Sequence, residues 1–132
     1  MSNDITSVDK KMLAILKAIQ KGGNIPKPFG KEILLLKTYI AGTNYSDAKK
    51  VSDKIKKGNY LIFQREADNE YDRLAIKIMD LDNNKLGYIP KAKNEIISKL
   101  MDAGKVIYGV IDYKEWKGDY LNLDISVYLK EL

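Results

Sequence analysis

From Tyr120 to Leu129 the chain alternates. Leu121, Leu123, Ile125 and Val127 fall on one face, and Asn122, Asp124 and Ser126 on the other. Period two is strand geometry, and one face of this strand is apolar enough to line a core. The chain must therefore build a sheet with one buried side. The same kind of signal recurs upstream. Glu32 to Ile40 and Tyr60 to Arg65 are short runs rich in apolar, β-branched and aromatic residues. Leu74, Ile76 and Ile78 alternate with Ala75, Lys77 and Met79, and Leu86 to Ile89 follows a polar turn over residues 81–85. Lys105 to Tyr113 is a further run, separated from the last by Lys117-Gly118-Asp119. About six strands result.

Helices are few. Val8, Met12, Ile15, Leu16 and Ile19 recur at steps of three and four, and Gly22-Gly23 ends that periodicity. Asn24 to Gly30, with two prolines, reads as a linker. Ser46-Asp47 is placed to cap a short, charged helix through Lys57 with Val51 and Ile55 turned inward. After Pro90, the stripe Ile96, Ile97, Leu100 and Met101 predicts a buried helix ended by Gly104. The expected fold is mainly β, of the α+β kind. It is a small six-stranded barrel in the OB-like or SH3-like style, with an inserted helix and an N-terminal helical extension. Residues 1–30 form the extension and linker, and residues 31–132 the domain.

Composition narrows the chemistry. The chain has 132 residues, enough for one domain with a sizeable core. It has no cysteine and no histidine. Disulfides, thiolate metal sites and His-based nucleophile systems are excluded, and the commonest general base is missing. No apolar run is long enough to span a bilayer, and Met1-Ser2-Asn3-Asp4 lacks the basic start of a signal peptide. The expectation is a cytoplasmic, non-catalytic protein that needs no cofactor and no membrane. The net charge of +5 is concentrated early: residues 1–30 hold five lysines against two aspartates, and the remainder 18 basic against 16 acidic residues. A nearly neutral body permits nucleic-acid binding without requiring it.

The most informative stretch is Arg65-Glu66-Ala67-Asp68-Asn69-Glu70-Tyr71-Asp72-Arg73-Leu74-Ala75-Ile76, followed by Leu86-Gly87-Tyr88-Ile89-Pro90. It resembles the HIRAN domain pattern R-x-P-x-N-x-Y-D-x-x-A-I, then L-G-[YH]-[IL]-[PK]. Asn69, Tyr71, Asp72, Ala75, Ile76, Leu86 and Gly87 fall in register, and the resemblance extends over about residues 32–130. Ala67 departs from the pattern's proline. The resemblance implies a modified OB-like barrel that binds single-stranded DNA and captures its free 3′-hydroxyl end. It is known from the N-terminal modules of fork-remodelling translocases and from short stand-alone bacterial proteins. It implies a role in replication or repair.

Carried over position by position, the family's site places Tyr71 against the terminal nucleotide and Asp72 as acceptor for the 3′-hydroxyl. Tyr39 is a second stacking surface, Lys91 a phosphate contact, and Tyr120 the aromatic that opens the last strand. Thr38 stands where the family has a basic residue, so that phosphate contact falls to Arg65 or Arg73. Taken singly, each residue has a plainer role. Asp72 suits a turn cap, Lys91 a solvated first turn, and the tyrosines a barrel wall. Two other functions compete. The protein is a protein-interaction module, through the barrel or through self-association of its N-terminal helix; or it is a metal-dependent nuclease using Asp68, Glu70 and Asp72. Three further features are weaker. The lysine run from Lys49 to Lys57 suits a phosphate track or a solvated face, Asp80 to Asn84 reads as a hairpin turn, and Trp116 suits a stack or a barrel end.

Overall fold

A computed structural model describes residues 31–131 together with Leu13, Ala14, Leu16 and Lys17. Six strands form one antiparallel sheet: β1 (Glu32–Tyr39), β2 (Tyr60–Arg65), β3 (Ile76–Met79), β4 (Lys85–Tyr88), β5 (Val106–Lys117) and β6 (Tyr120–Lys130). Their order is β1-β6-β5-β2-β3-β4, and the sheet curls into a half-barrel. An α-helix, α1 (Asn94–Asp102), packs beside it; Leu13, Ala14, Leu16 and Lys17 are also helical.

The alternation in β6 is realised. Leu121, Leu123, Ile125 and Val127 are fully buried and meet Ile40, Phe63, Ile76, Ile78 and Leu86 in the main core. Each such side chain contributes roughly 1.5–3 kcal/mol relative to exposure. The two edges of the curled sheet touch at an isolated bridge, Ala41 with Tyr88. The Ala41 N–H donates to the Tyr88 carbonyl at 2.8 Å, and the Tyr88 N–H to the Ala41 carbonyl at 2.9 Å. Gly87 makes that closure possible. Its φ is +150°, and a Cβ there would overlap the Ala41 carbonyl oxygen and Ile40 Cγ2.

Two sequence expectations are corrected. Residues 46–57 do not form an α-helix; they hold one short 3-10 turn, Ser52–Lys54, and another, Thr43–Tyr45, precedes them. The Ser46 hydroxyl donates to the Leu86 carbonyl at 2.8 Å, and the Asp47 N–H to the Lys85 carbonyl at 2.9 Å. The segment is thus tied to β4; the Val51 N–H still reaches the Asp47 carbonyl at 3.2 Å, but the helix goes no further. In α1, Ile96 is 65% exposed. The inward face is instead Asn94, Ile97 and Ser98, with Met101 half-buried behind them, a spacing of three and four.

Most of the N-terminal helical extension lies outside the described residues. Leu13 and Leu16 are among them; Leu16 is buried in a second apolar cluster with Ile62, Met79, Leu81, Val106 and Tyr108, on the outer side of the sheet. No helix among the described residues is long and apolar enough to cross a membrane.

Candidate nucleic-acid interface

The stretch between β2 and β3 is an ordered loop. The Glu66 N–H donates to the Ala75 carbonyl at 2.9 Å, closing its base. Inside it, Asn69 Oδ1 accepts from the backbone N–H groups of Tyr71 (2.8 Å) and Asp72 (3.0 Å). This is the turn chemistry that Asn supplies. Asn69 Nδ2 donates in turn to Glu66 Oε1 at 3.1 Å, which also accepts from the Tyr88 hydroxyl at 2.7 Å. Lys77 Nζ lies 3.8 Å from the other oxygen of Glu66. Burial, then the Glu66 hydrogen bond and charge, push the Tyr88 hydroxyl up to about 12. Glu66 is thus the hub from which the loop and β4 are held together.

Asp72 is fixed from two sides. Its Oδ1 accepts from the Leu74 N–H at 2.9 Å, and its Oδ2 from Asn94 Nδ2 at 2.8 Å. Burial alone would raise this carboxyl. The Leu74 and Asn94 hydrogen bonds, with the charges of Lys91 and Arg65, hold it below the usual carboxylate range. The side chain that caps this turn is also the carboxylate expected at the site. Tyr71, beside it, is 85% exposed, so its ring has no packing duty.

An open groove of about 510 Å³ gathers these residues. Ala41, Asn69, Tyr71, Asp72, Ala75, Tyr88, Ile89, Lys91 and Asn94 line it. Three of the six residues expected at the site, Tyr71, Asp72 and Lys91, therefore share one concavity. The other three do not line it. Tyr39 stands on the outer face of β1, paired with Asp124. Tyr120 pairs with Lys117 at the tip of the β5–β6 hairpin. Arg65 has its donors committed within the chain. Nε and Nη2 reach the Asp102 carboxylate at 2.9 and 3.1 Å, Nη1 the Ala75 carbonyl at 2.8 Å, and Nη2 the Arg73 carbonyl at 3.0 Å. It clamps the loop to the end of α1. Thr38 pairs with Ile125 and points inward. Sequence reasoning missed Asn94; its signal was a polar residue on the inward face of α1.

No cluster of three metal-binding side chains occurs among the described residues. Asp80 caps its own hairpin, with Oδ1 accepting from the Asp82 and Asn84 N–H groups at 2.9 and 2.8 Å.

The HIRAN domain family model matches residues 33–130. The chain belongs to the HIRAN domain family. A crystal structure of a protein from Lactobacillus plantarum is similar, with a TM-score of 0.71 and 27% identity over 77% of this chain and 98% of that one. The HIRAN domain of human HLTF shares the fold, with a TM-score of 0.58 and 22% identity over 77% of this chain and 83% of that one. A Fanconi-associated nuclease 1 homolog from Arabidopsis thaliana is 33% identical over 67 residues. That match spans 51% of this chain but 7% of the nuclease. The matched stretch is thus a small part of that relative's length.

Proposed function

We propose that this HIRAN domain is a non-catalytic module that binds single-stranded DNA and holds its 3′-hydroxyl end in the groove, in replication or repair. The observation that carries this reading is the pairing of an unpacked ring with a fixed carboxylate. Tyr71 is free to stack on a terminal nucleotide, a contact that contributes about 1–3 kcal/mol and tolerates any base. Asp72 beside it is ionised and already oriented by Leu74 and Asn94. A carboxylate repels phosphate but accepts a hydrogen bond from a hydroxyl. At an internal position a bound strand presents a phosphodiester; at its end it presents a hydroxyl. Lys91 supplies the positive charge for the neighbouring phosphate.

Fluorescence anisotropy tests this with short single strands ending in a 3′-hydroxyl or a 3′-phosphate, beside a blunt duplex. Preference for the hydroxyl end, lost in Asp72→Ala, is the expected result. Equal binding of both ends would refute the role of Asp72. No binding to any strand at low salt would favour a protein partner instead.

A further inference from the structure

If the groove holds the end of a strand, as read above, the rest of the strand must leave it, and the sheet offers two exits. One runs past Tyr39 onto the outer face of β1, β6 and β5. There Tyr39, Asp124 and Tyr113 form a row across three strands. The rings suit stacking, but the charge does not suit phosphate. Lys37 is already paired with Asp112 at 3.5 Å, and Lys117 with Glu115 at 3.9 Å. Asp124 between the two tyrosines is left with only the Asn122 amide, at 3.1 Å. That face is acidic.

The other exit passes the Ala41–Tyr88 bridge, and here the charges have the opposite sign. Three residues before Tyr88, Lys85 lays its ammonium 4.5 Å from the centre of the Tyr88 ring. The segment after Ala41 is pinned against β4 by Ser46 and Asp47, which brings Lys49 and Lys50 to that side. Lys50 pairs with Asp47 at 3.8 Å, but both are exposed and the pair is easily exchanged for a phosphate. Between the bridge and these lysines stands Tyr45, which is 91% exposed. A ring so placed contributes almost nothing by burial. Its backbone, however, is firmly held. The Thr43 hydroxyl donates to the Leu121 carbonyl at 2.7 Å, and the Tyr45 N–H to the Gly42 carbonyl at 3.0 Å. An exposed ring on an anchored turn is a stacking platform that costs little to order.

We propose that a strand bound by its 3′ end leaves the groove past Ala41 and Tyr88, stacks a base on Tyr45, and lays its backbone along Lys85, Lys49 and Lys50. The site then reads more than a terminal nucleotide, and its affinity grows with strand length in one direction only. The acidic face of β5 and β6 steers the strand away from Tyr113.

The test compares a thymidine dinucleotide with an octanucleotide, both ending in a 3′-hydroxyl, by anisotropy competition. Wild-type protein should bind the octanucleotide more tightly. Tyr45→Ala should weaken the octanucleotide about tenfold, the loss expected of one stacked base. Tyr45→Phe should restore it, and neither should alter the preference for hydroxyl over phosphate ends. Replacing Lys49 and Lys50 by Gln should make the log–log salt slope of octanucleotide binding shallower by roughly 1.4, about 0.7 for each phosphate contact. Tyr113→Ala should change nothing. Unchanged octanucleotide binding in Tyr45→Ala, loss of it in Tyr113→Ala, or no gain with length would overturn the proposed path. Those outcomes leave end recognition intact, because the hydroxyl preference is read on the dinucleotide. Absence of that preference with the Tyr45 effect retained would overturn end recognition and leave a strand track past Tyr45 without an anchored end.

Discussion

At the scale of single residues the proposed site depends on one carboxylate and the two groups that aim it. Asn94→Ala removes the donor to Asp72 Oδ2 from a residue that is itself almost wholly buried. The hydroxyl-over-phosphate preference should fall several-fold, while binding of a 3′-phosphate strand stays the same; anisotropy with both ends checks this. The pH dependence follows from the lowered Asp72 carboxyl. Its folded value lies below the ordinary 3.8. The stability linked to this group is therefore fully present above that ordinary value and is lost as pH falls through the folded one. End preference should stay level from neutral pH down to about 4 and decline only below it. A titration of the preference against pH reads this directly, and a midpoint near neutrality would exclude Asp72 as the acceptor. Much of this was legible in the sequence, because Asn69, Tyr71 and Asp72 lie within three positions of one another in a single loop. What was not legible is the reach of Asn94 across 22 positions to the same carboxylate. Nor was the commitment of Arg65 to Asp102, which lies 37 positions away. Local turn chemistry is written locally; such partners are chosen by the packing of α1 against β2.

At the scale of elements the strands were the readable part. Alternation in β6 and β3 and the apolar run in β2 follow from one face needing a core, and that need is local. The stretch from Ser46 to Lys57 misled for the opposite reason. Its cap and its charges suit a helix, and Ala48, Val51 and Ile55 do turn inward, but the Ser46 hydroxyl and the Asp47 N–H bond to β4. Tertiary contacts overrode propensity. The helix stripe held at Ile97, Leu100 and Met101, but α1 also turns Asn94 and Ser98 inward and leaves Ile96 outside. Two predictions belong at this scale. Gly87→Ala places a Cβ into the Ala41 carbonyl at a backbone angle that other residues avoid. It should destabilise the fold by about 3 kcal/mol or more, measured by urea denaturation. Glu66→Gln keeps the shape but removes the charge facing Lys77 and the acceptor strength at Tyr88. It should cost roughly 1–3 kcal/mol, and in spectrophotometric titration one tyrosine should ionise nearer its ordinary range.

At the scale of the whole molecule the charge is modest, and a nearly neutral body does not coat a duplex. Few phosphate contacts imply a shallow salt dependence. With Lys91, Lys85, Lys49 and Lys50 as the contacts, the log–log slope for a single strand should be near −3. A slope near zero would argue for a protein ligand, and one beyond about −6 for a much larger basic surface than these four lysines provide.

The bridge between Ala41 and Tyr88 has a consequence for how the molecule breathes. The two residues that fasten the free edges of the sheet are also walls of the groove. Any excursion that parts them dismantles the receptor, so opening of the seam and occupancy of the groove exclude each other. A ligand bridging the two walls then behaves as a latch. Hydrogen exchange at the Ala41 and Tyr88 amides should slow as the groove fills, and amides deep in β5 and β6, which exchange through global unfolding, should slow by the same factor.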